Sequence, residues 1–156
     1  RFTTENPPPA GFSFLEVAMA IEVLKDAFVE VNAVDLSDHV ASVTINYSKA
    51  IQEAPVMGDA GTRRIVGLAD WSADIEFRQD FDAAKVDATL WPIVGTQAAF
   101  KCRKAKASVL SATNPEYRGN GMIGEYTPIS GGVGETHNTS VTVQGSDGVA
   151  LTRNTV

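Results

Sequence analysis

The chain has 156 residues, 44% of them hydrophobic and 8% aromatic, enough for one domain that buries roughly 68–70% of its unfolded surface without staples. No apolar run approaches the ~20 residues that a membrane-spanning helix needs. Lys and Arg number 13 against 19 Asp and Glu, a net charge of −6, which argues against a protein that grips nucleic acid through a basic stripe. The single Cys102 has no partner for an intramolecular disulfide, so the fold does not depend on an oxidising compartment.

Residues 1–18 differ in composition from the rest of the chain, reading Asn6-Pro-Pro-Pro-Ala-Gly and then Phe12-Ser-Phe-Leu. Glu16 interrupts the apolar stretch and no basic segment precedes it, so a signal peptide is not expected. Two readings stand: a leader upstream of translation beginning at Met19, since Leu15-Glu-Val-Ala-Met can be encoded by a purine-rich ribosome-binding sequence, or a genuine extended arm. Residues 19–156 read as a single domain.

From Ala20 to Val40 the strand pattern is broken. Val29 and Val31 alternate with Glu30 and Asn32, and the apolar phase then slips to Val34 and Leu36, as at a bulge or a strand end. Asp35-Leu-Ser-Asp38 turns the chain. Ser42–Ser48 alternates cleanly, with Val43, Ile45 and Tyr47 on one face and Ser42, Thr44 and Asn46 on the other, which predicts a strand. Ala50–Arg64 has no sustained period and contains Pro55, Gly58 and Gly61, so it is expected to be a long inter-strand loop, either floppy or a contact element.

The strongest period in the chain comes next. Trp71, Ala73, Ile75, Phe77 and Phe81 share one face, and Ser72, Asp74, Glu76, Arg78 and Asp80 the other. The polar side is either an ordinary solvated sheet face or one wall of an acidic channel built from several subunits. Asp82 is placed to cap a helix of at most about three turns, with Val86, Leu90 and Ile93 as its stripe; Pro92 ends it, and Trp91 is expected to pack on the sheet.

Gln97–Leu110 reads as a strand carrying Lys101, Arg103, Lys104 and Lys106. Phe100 and Cys102 set one apolar phase, Ala105, Ala107 and Val109 the other, so a bulge is expected at Arg103-Lys104. Lysines on a strand blunt an edge; alternatively they form a DNA patch, or pair with the Asp74/Glu76/Asp80 face within or between subunits. Downstream, a short strand runs to Tyr126. Val141 and Val143 then alternate with Ser140, Thr142 and Gln144, and Gly145-Ser-Asp-Gly148 is expected to fold that strand back into a C-terminal hairpin.

Chemistry-bearing motifs are sparse. Gly119-Asn-Gly121-Met-Ile-Gly124 spells a dinucleotide fingerprint, but Asn114-Pro precedes it and a strand-like run succeeds it, so these glycines are read as turn formers. His39 and His137 stand apart, outside metal-ligand spacing. Cys102 alternates with Phe100 and reads as a small buried apolar residue rather than a nucleophile. Asp74/Glu76 and Asp80/Asp82 imitate glycosidase carboxylate pairs but sit on a uniformly polar strand face. Asn138-Thr-Ser is a glycosylation acceptor only in a secreted chain. No enzyme and no cofactor is expected.

The residues Asn114-Pro-x-Tyr-x-Gly-x-Gly, then Tyr126-x-Pro, Gly132-Val-Gly-Glu, the Thr/Ser/Val strand ending in Gln144-Gly, and Ala150-Leu-Thr-Arg153 resemble the C-terminal signature of major tail tube proteins of long-tailed bacteriophages, in the tail tube and secretion-tube superfamily. The resemblance covers the last quarter of the chain directly, and the order of the earlier elements agrees with it. It implies a mainly β fold, an antiparallel β-sandwich or partial barrel with one short flanking α-helix and a long inter-strand loop. It also implies a structural virion protein, assembled in the cytoplasm of a bacterial host, whose hexameric rings stack into a conduit for genome delivery. Lumen-facing candidates are then Ser42, Thr44, Asn46, Asp74, Glu76, Arg78 and Asp80. Ile51, Glu53, Pro55, Val56, Met57, Arg63 and Arg64 would bridge rings, and Lys101, Arg103, Lys104 and Lys106 would carry inter-subunit charge. Implied partners are further copies, tape-measure, tail-tip and tail-terminator proteins, and double-stranded DNA in passage; no membrane is implied. Mild acidity serves solubility or a bore through which DNA slides without sticking. The rival from another class is a monomeric carbohydrate-binding or adhesion β-sandwich, whose exposed stacking aromatics are missing if Trp71 and Trp91 both point inward.

Overall fold

A computed structural model describes residues 22–156; both readings of residues 1–18 lie outside the described residues. The slipped phase near residue 32 is a strand end. Strand β1 (Phe28–Val31) and β2 (Val34–Asp35) are antiparallel and joined by Asn32 and Ala33, whose φ angles of 51° and 63° give the left-handed pair that a two-residue hairpin turn requires. A 3-10 turn (Ser37–His39) leads to β3 (Val40–Glu53) and β4 (Arg64–Arg78). Helix α1 (Val86–Leu90) and a second 3-10 turn (Trp91–Ile93) precede β5 (Gln97–Arg103), β6 (Glu116–Ile123), β7 (Asn138–Gly145) and β8 (Thr152–Asn154). All pairings between these strands are antiparallel. The eight strands form one sheet in the order β2-β1-β5-β6-β7-β4-β3, with β8 also on β6, and the sheet does not close into a barrel.

The sheet is nevertheless strongly rolled. Trp71 on β4 stacks on Phe100 of β5 with ring centroids 5.9 Å apart, although β6 and β7 lie between their strands. Three strand spacings in a flat sheet would separate them by about 14 Å. The roll wraps the alternating apolar positions Val29, Phe100, Ile123, Val143, Ile75 and Phe77 around one core, and Leu36, Val86, Leu90 and Ile93 are buried against it. The expected stripe of Val86, Leu90 and Ile93 is thus correct. Gly119, Gly121 and Gly145 are strand residues rather than turn formers: the indole needs the space at Gly119 and Gly145, and the Val143 side chain that at Gly121. A Cβ on Gly119 would lie 2.6 Å from Trp71 Cζ2, and one on Gly145 2.5 Å from Nε1.

Several local expectations are corrected. The chain does not reverse at Gly145-Ser-Asp-Gly148. Both β7 and β8 run antiparallel to β6, pairing Gly145 with Gly121 and Asn154 with Glu116, so β8 resumes the same edge after a short excursion. Only Gly148 of that turn has a positive φ (72°), and Asp147 anchors it instead, accepting from Asn120 Nδ2 at 3.1 Å and from the Val149 N–H at 3.0 Å. The N-cap of α1 is Lys85, without a side-chain cap bond; Asp82 only accepts from the Lys85 N–H through its carbonyl, at 3.2 Å. Trp91 points outward, 66% exposed, because Leu90 and Ile93 take the inward positions on either side of it. Phe81 is also exposed, since β4 ends at Arg78 before its alternation can carry that ring into the core.

Strand β5 stops at Arg103 rather than Leu110, so the phase change there is a strand end and not a bulge. The loop beyond it is gathered by Asn114, which is 3% exposed. Its Oδ1 accepts from the Ala105 N–H at 3.1 Å, and its Nδ2 donates to the carbonyls of Ala105, Ser108 and Val109 at 3.0–3.2 Å. With β1 on one side and β6 on the other, β5 is no edge; its lysines do not blunt one.

Candidate functional site

Three adjacent strands, β3, β4 and β7, present their polar alternate positions on the side away from the core. The register lines up Ser42 with Glu76 and Ser140, Thr44 with Asp74 and Thr142, and Asn46 with Ser72 and Gln144. Asp74 is the hub. It accepts from Thr142 Oγ1 in its own row at 2.7 Å and from Asn46 Nδ2 in the neighbouring row at 3.2 Å, tying all three strands together. Ser42 Oγ donates to Glu76 at 3.4 Å, and Arg78 donates to Asn138 Oδ1. The face is therefore a hydroxyl, amide and carboxylate surface on which several donors are engaged by neighbouring side chains. A shallow depression of about 600 Å³ lies on it, flanked by Thr127 and Ser130.

The structure thus brings Ser42, Thr44, Asn46, Asp74, Glu76 and Arg78 onto one surface. Asp80 lies beyond the end of β4 and holds His39 Nε2 at 2.9 Å. The Asp82 N–H and His39 hold its carboxyl below the ordinary aspartate range, against a smaller opposing effect of burial. Sequence reasoning missed the β7 contribution, Ser140, Thr142 and Gln144, although their alternation with Val141 and Val143 was the signal that could have placed them here.

One border of the face is a loop, residues 124–137, fastened at defined points. Gln79 Nε2 donates to Tyr126 Oη at 2.7 Å and to the Pro128 carbonyl at 2.6 Å, and Tyr126 donates to Asp87 Oδ1 at 3.0 Å. Burial, and the carboxylate that accepts its proton, push the Tyr126 phenol up to about 12, although Gln79 favours the ionised form. His137 Nε2 accepts from the Ser130 N–H at 3.2 Å, and its ring lies 6.0 Å from Phe81.

The expected loop at Ala50–Arg64 is loop over most of its length and strand only at its two ends. β3 continues to Glu53 and β4 begins at Arg64, so only residues 54–63 are loop. The ladder shifts register between Lys49 and Ile51, where two steps along β3 face three along β4 from Val66 to Ala69, so the extra residue lies in β4. Beyond Tyr47 and Trp71 the two strands leave the core as a hairpin arm, in which Ile51, Ile65, Val66 and Leu68 are all exposed. The tip is ordered: Asp59 accepts from the Val56 N–H at 3.0 Å and from Arg63 at 2.8 Å, and Arg64 pairs with Glu53 at 3.3 Å. Met57 and Val56 stand exposed at the turn, next to Pro55. The outer edge of β3 has no strand beside it among the described residues.

The basic residues find carboxylates within the chain, and not on the Asp74/Glu76/Asp80 face. Lys101 pairs with Glu30 at 2.6 Å, Lys104 with Glu22, and Lys106 with Asp35 at 2.9 Å and Asp38 at 3.2 Å. The Arg103 guanidinium lies 4.4 Å over the Phe28 ring. Burial alone would raise the Asp35 carboxyl, but bonds from Ser37 and Lys106 outweigh it and hold it low; Asp35 and Asp38 in turn hold Lys106 above its ordinary value. Cys102 is buried, which pushes its thiol up to about 12. No group of three His, Cys, Asp or Glu side chains gathers as for a metal ion among the described residues. The Gly119–Gly124 fingerprint begins inside β6 and opens no helix, so the geometry that a pyrophosphate needs is missing.

The fold is similar to that of a chain in the virion of a native gene transfer agent particle, with a TM-score of 0.65, 12% sequence identity, and coverage of 85% of this chain and 98% of that one. At that identity the likeness is one of fold. No protein-family model matches the sequence, and no curated protein sequence does.

Proposed function

We propose that this chain is a structural virion protein that assembles with copies of itself into rings, hexameric by the tail tube resemblance, which stack as a phage-type tail tube and conduct double-stranded DNA into a host cell. The observation that carries this reading is the wet face of β3, β4 and β7 ending at an open edge. Strand β3 offers 14 residues without a proline and with no neighbour on its outer side among the described residues. Such an edge templates uncontrolled pairing unless something covers it. Identical copies arranged cyclically cover it by closing their sheets into a common barrel. The polar face would then line the bore, with Ser42, Thr44, Asn46, Asp74, Glu76 and Arg78 towards the DNA and the arm reaching the adjacent ring. The likeness to a virion chain over 98% of that chain's length supports the same class. The protein acts without catalysis, and its other partners would be tape-measure, tail-tip and terminator proteins.

Light scattering after size exclusion, with negative-stain microscopy, tests the reading: rings or tubes of uniform bore are expected, and a monodisperse monomer at all concentrations overturns it. Reversing Asp74 and Glu76 to lysine is expected to preserve the fold while impairing DNA ejection, because the bore would then bind phosphates. Unchanged infectivity removes the lumen role.

One observation favours the rival. The exposed Trp91 offers a stacking platform of the kind sugar-binding modules use, which the inward reading of both tryptophans had denied. Quenching of Trp91 fluorescence by oligosaccharides, in a chain that stays monomeric, would favour that alternative.

A further inference from the structure

Two apolar surfaces without a partner among the described residues lie at opposite ends of β4. At its N-terminal end is the arm. Alternation along β3 carries Tyr47, Lys49 and Ile51 along the side that faces the core lower down, and Ile51 pairs with Val66 across the ladder. The arm thus continues the sheet's apolar side past the last core residue, with Ile51 and Val66 exposed. A two-stranded ribbon of this kind is marginal in water by itself.

At the C-terminal end of β4 the segments 79–95 and 124–137 form one cap, joined by Gln79, Tyr126 and Asp87 and by the Gln79 N–H bond to the His137 carbonyl at 2.9 Å. This cap exposes Trp91, Phe81 and Ile129. A tryptophan two-thirds open to solvent, in a loop fixed by Pro92 and flanked by the buried Leu90 and Ile93, is a rigid anchor of the kind that dominates binding energy at protein interfaces.

The charges of the two ends are opposite. From Ser48 to Ala69 the arm carries Lys49, Arg63 and Arg64 against Glu53 and Asp59, a net +1, in a chain of net −6. The cap segments carry Asp80, Asp82, Asp87, Glu125 and Glu135 against Lys85, a net −4. Because the two surfaces sit at opposite ends of one strand, a chain cannot satisfy both by itself. Mutual burial between copies is heterologous and repeats without closing.

We propose that the Trp91 cap is the receptor for the arm of the next copy, with Ile51 and Val66 laid against Trp91 and the arm's cations towards Asp82 and Glu125. This contact rests on the self-assembly reading and specifies its axial geometry. The test places the photo-crosslinker p-benzoylphenylalanine at Val66 in the full chain, mixes isotopically light and heavy copies, and maps the products by mass spectrometry. Mixed-isotope crosslinks into residues 79–95 or 124–137 are expected. Ordered particles whose crosslinks fall elsewhere overturn this contact and leave self-assembly standing, whereas a crosslink-free monomer overturns both. In parallel, Trp91→Ala is expected to raise the concentration needed for polymer by about thirty-fold, the scale of one lost anchor, with an unchanged melting temperature. An unchanged polymerisation threshold counts against Trp91 as the anchor and overturns the assignment.

Discussion

The indole of Trp71 lies so close to Gly119 that a methyl group on that glycine would come within 2.6 Å of Cζ2. Gly119→Ala and Gly145→Ala are therefore each expected to destabilise the chain by about 1–3 kcal/mol, the cost of overpacking a filled core, whereas an alanine at Gly148 would act through its positive φ alone, since open space surrounds that position. Urea denaturation monitored by tryptophan fluorescence measures both. A cycle with Trp71→Phe should show the Gly119 penalty shrink, because the two sites share one volume; additive losses would refute the clash.

Asn114 organises the loop between β5 and β6 through four backbone groups. Asn114→Ala removes the buried partner of three carbonyls and one N–H, and a loss of about 1–3 kcal/mol is expected. Asn114→Asp keeps the acceptor for the Ala105 N–H and removes the donors, so it should remain nearly as damaging. Hydrogen exchange should quicken over residues 104–113 in both variants and leave β4 and β7 unaffected.

Tyr126 makes an alkaline prediction. Its folded pKa is raised to about 12 from an unfolded value of 10.0, by burial first and by Asp87 second. For a group raised in the folded state, the stabilisation is complete below pH 10 and is lost as pH climbs towards 12, where the unfolded chain releases a proton that the folded chain retains. Absorbance titration at the phenolate band should find one of the three tyrosines ionising last. Tyr126→Phe should flatten the decline in melting temperature between pH 10 and 12. Cys102 contributes a slope of the same sign, so some decline should survive in the variant.

Cys102 itself should resist thiol reagents at pH 8. With its thiol buried and its pKa pushed to about 12, the reactive thiolate is scarce and screened. Labelling should proceed only as fast as the chain opens, and addition of denaturant should accelerate it by orders of magnitude. Rapid stoichiometric labelling in buffer would contradict the buried placement.

What the sequence revealed and what it hid divide along physical lines. The faces of β4 and β7 were legible because Ile75, Phe77, Val141 and Val143 alternate without interruption against polar neighbours, and one-sided burial leaves no other reading. The stripe Val86, Leu90 and Ile93 was legible for a similar reason, although the orientation of Trp91 was not: its size suggested burial, whereas the 3-10 turn directly after Leu90 decides which residues face in. The arm was hidden because apolar residues stand on both of its faces, Ile51 and Val66 on one and Ile65 on the other, and because the extra residue of β4 between Val66 and Ala69 shifts its phase away from that of Trp71. The partners of Lys101, Lys104 and Lys106 were hidden because strand order, which brings β1 beside β5, is a property of the whole sheet. Gly119 and Gly145 misled most, since a glycine that clears room for a distant indole looks the same in sequence as one that bends the chain.

The slot for Trp71 also sets a timetable. The β3–β4 ribbon is local in sequence and can form as soon as residue 78 has left the ribosome, yet its indole has no seat until the stretch from Gly119 to Gly145 arrives. During that interval the nascent polypeptide displays an ungated edge and a homeless ring, the state most open to premature coalescence with sister chains. Arrival of the stretch from Gly119 to Gly145 therefore both seats the indole and covers, through β7, the inner edge of the ribbon.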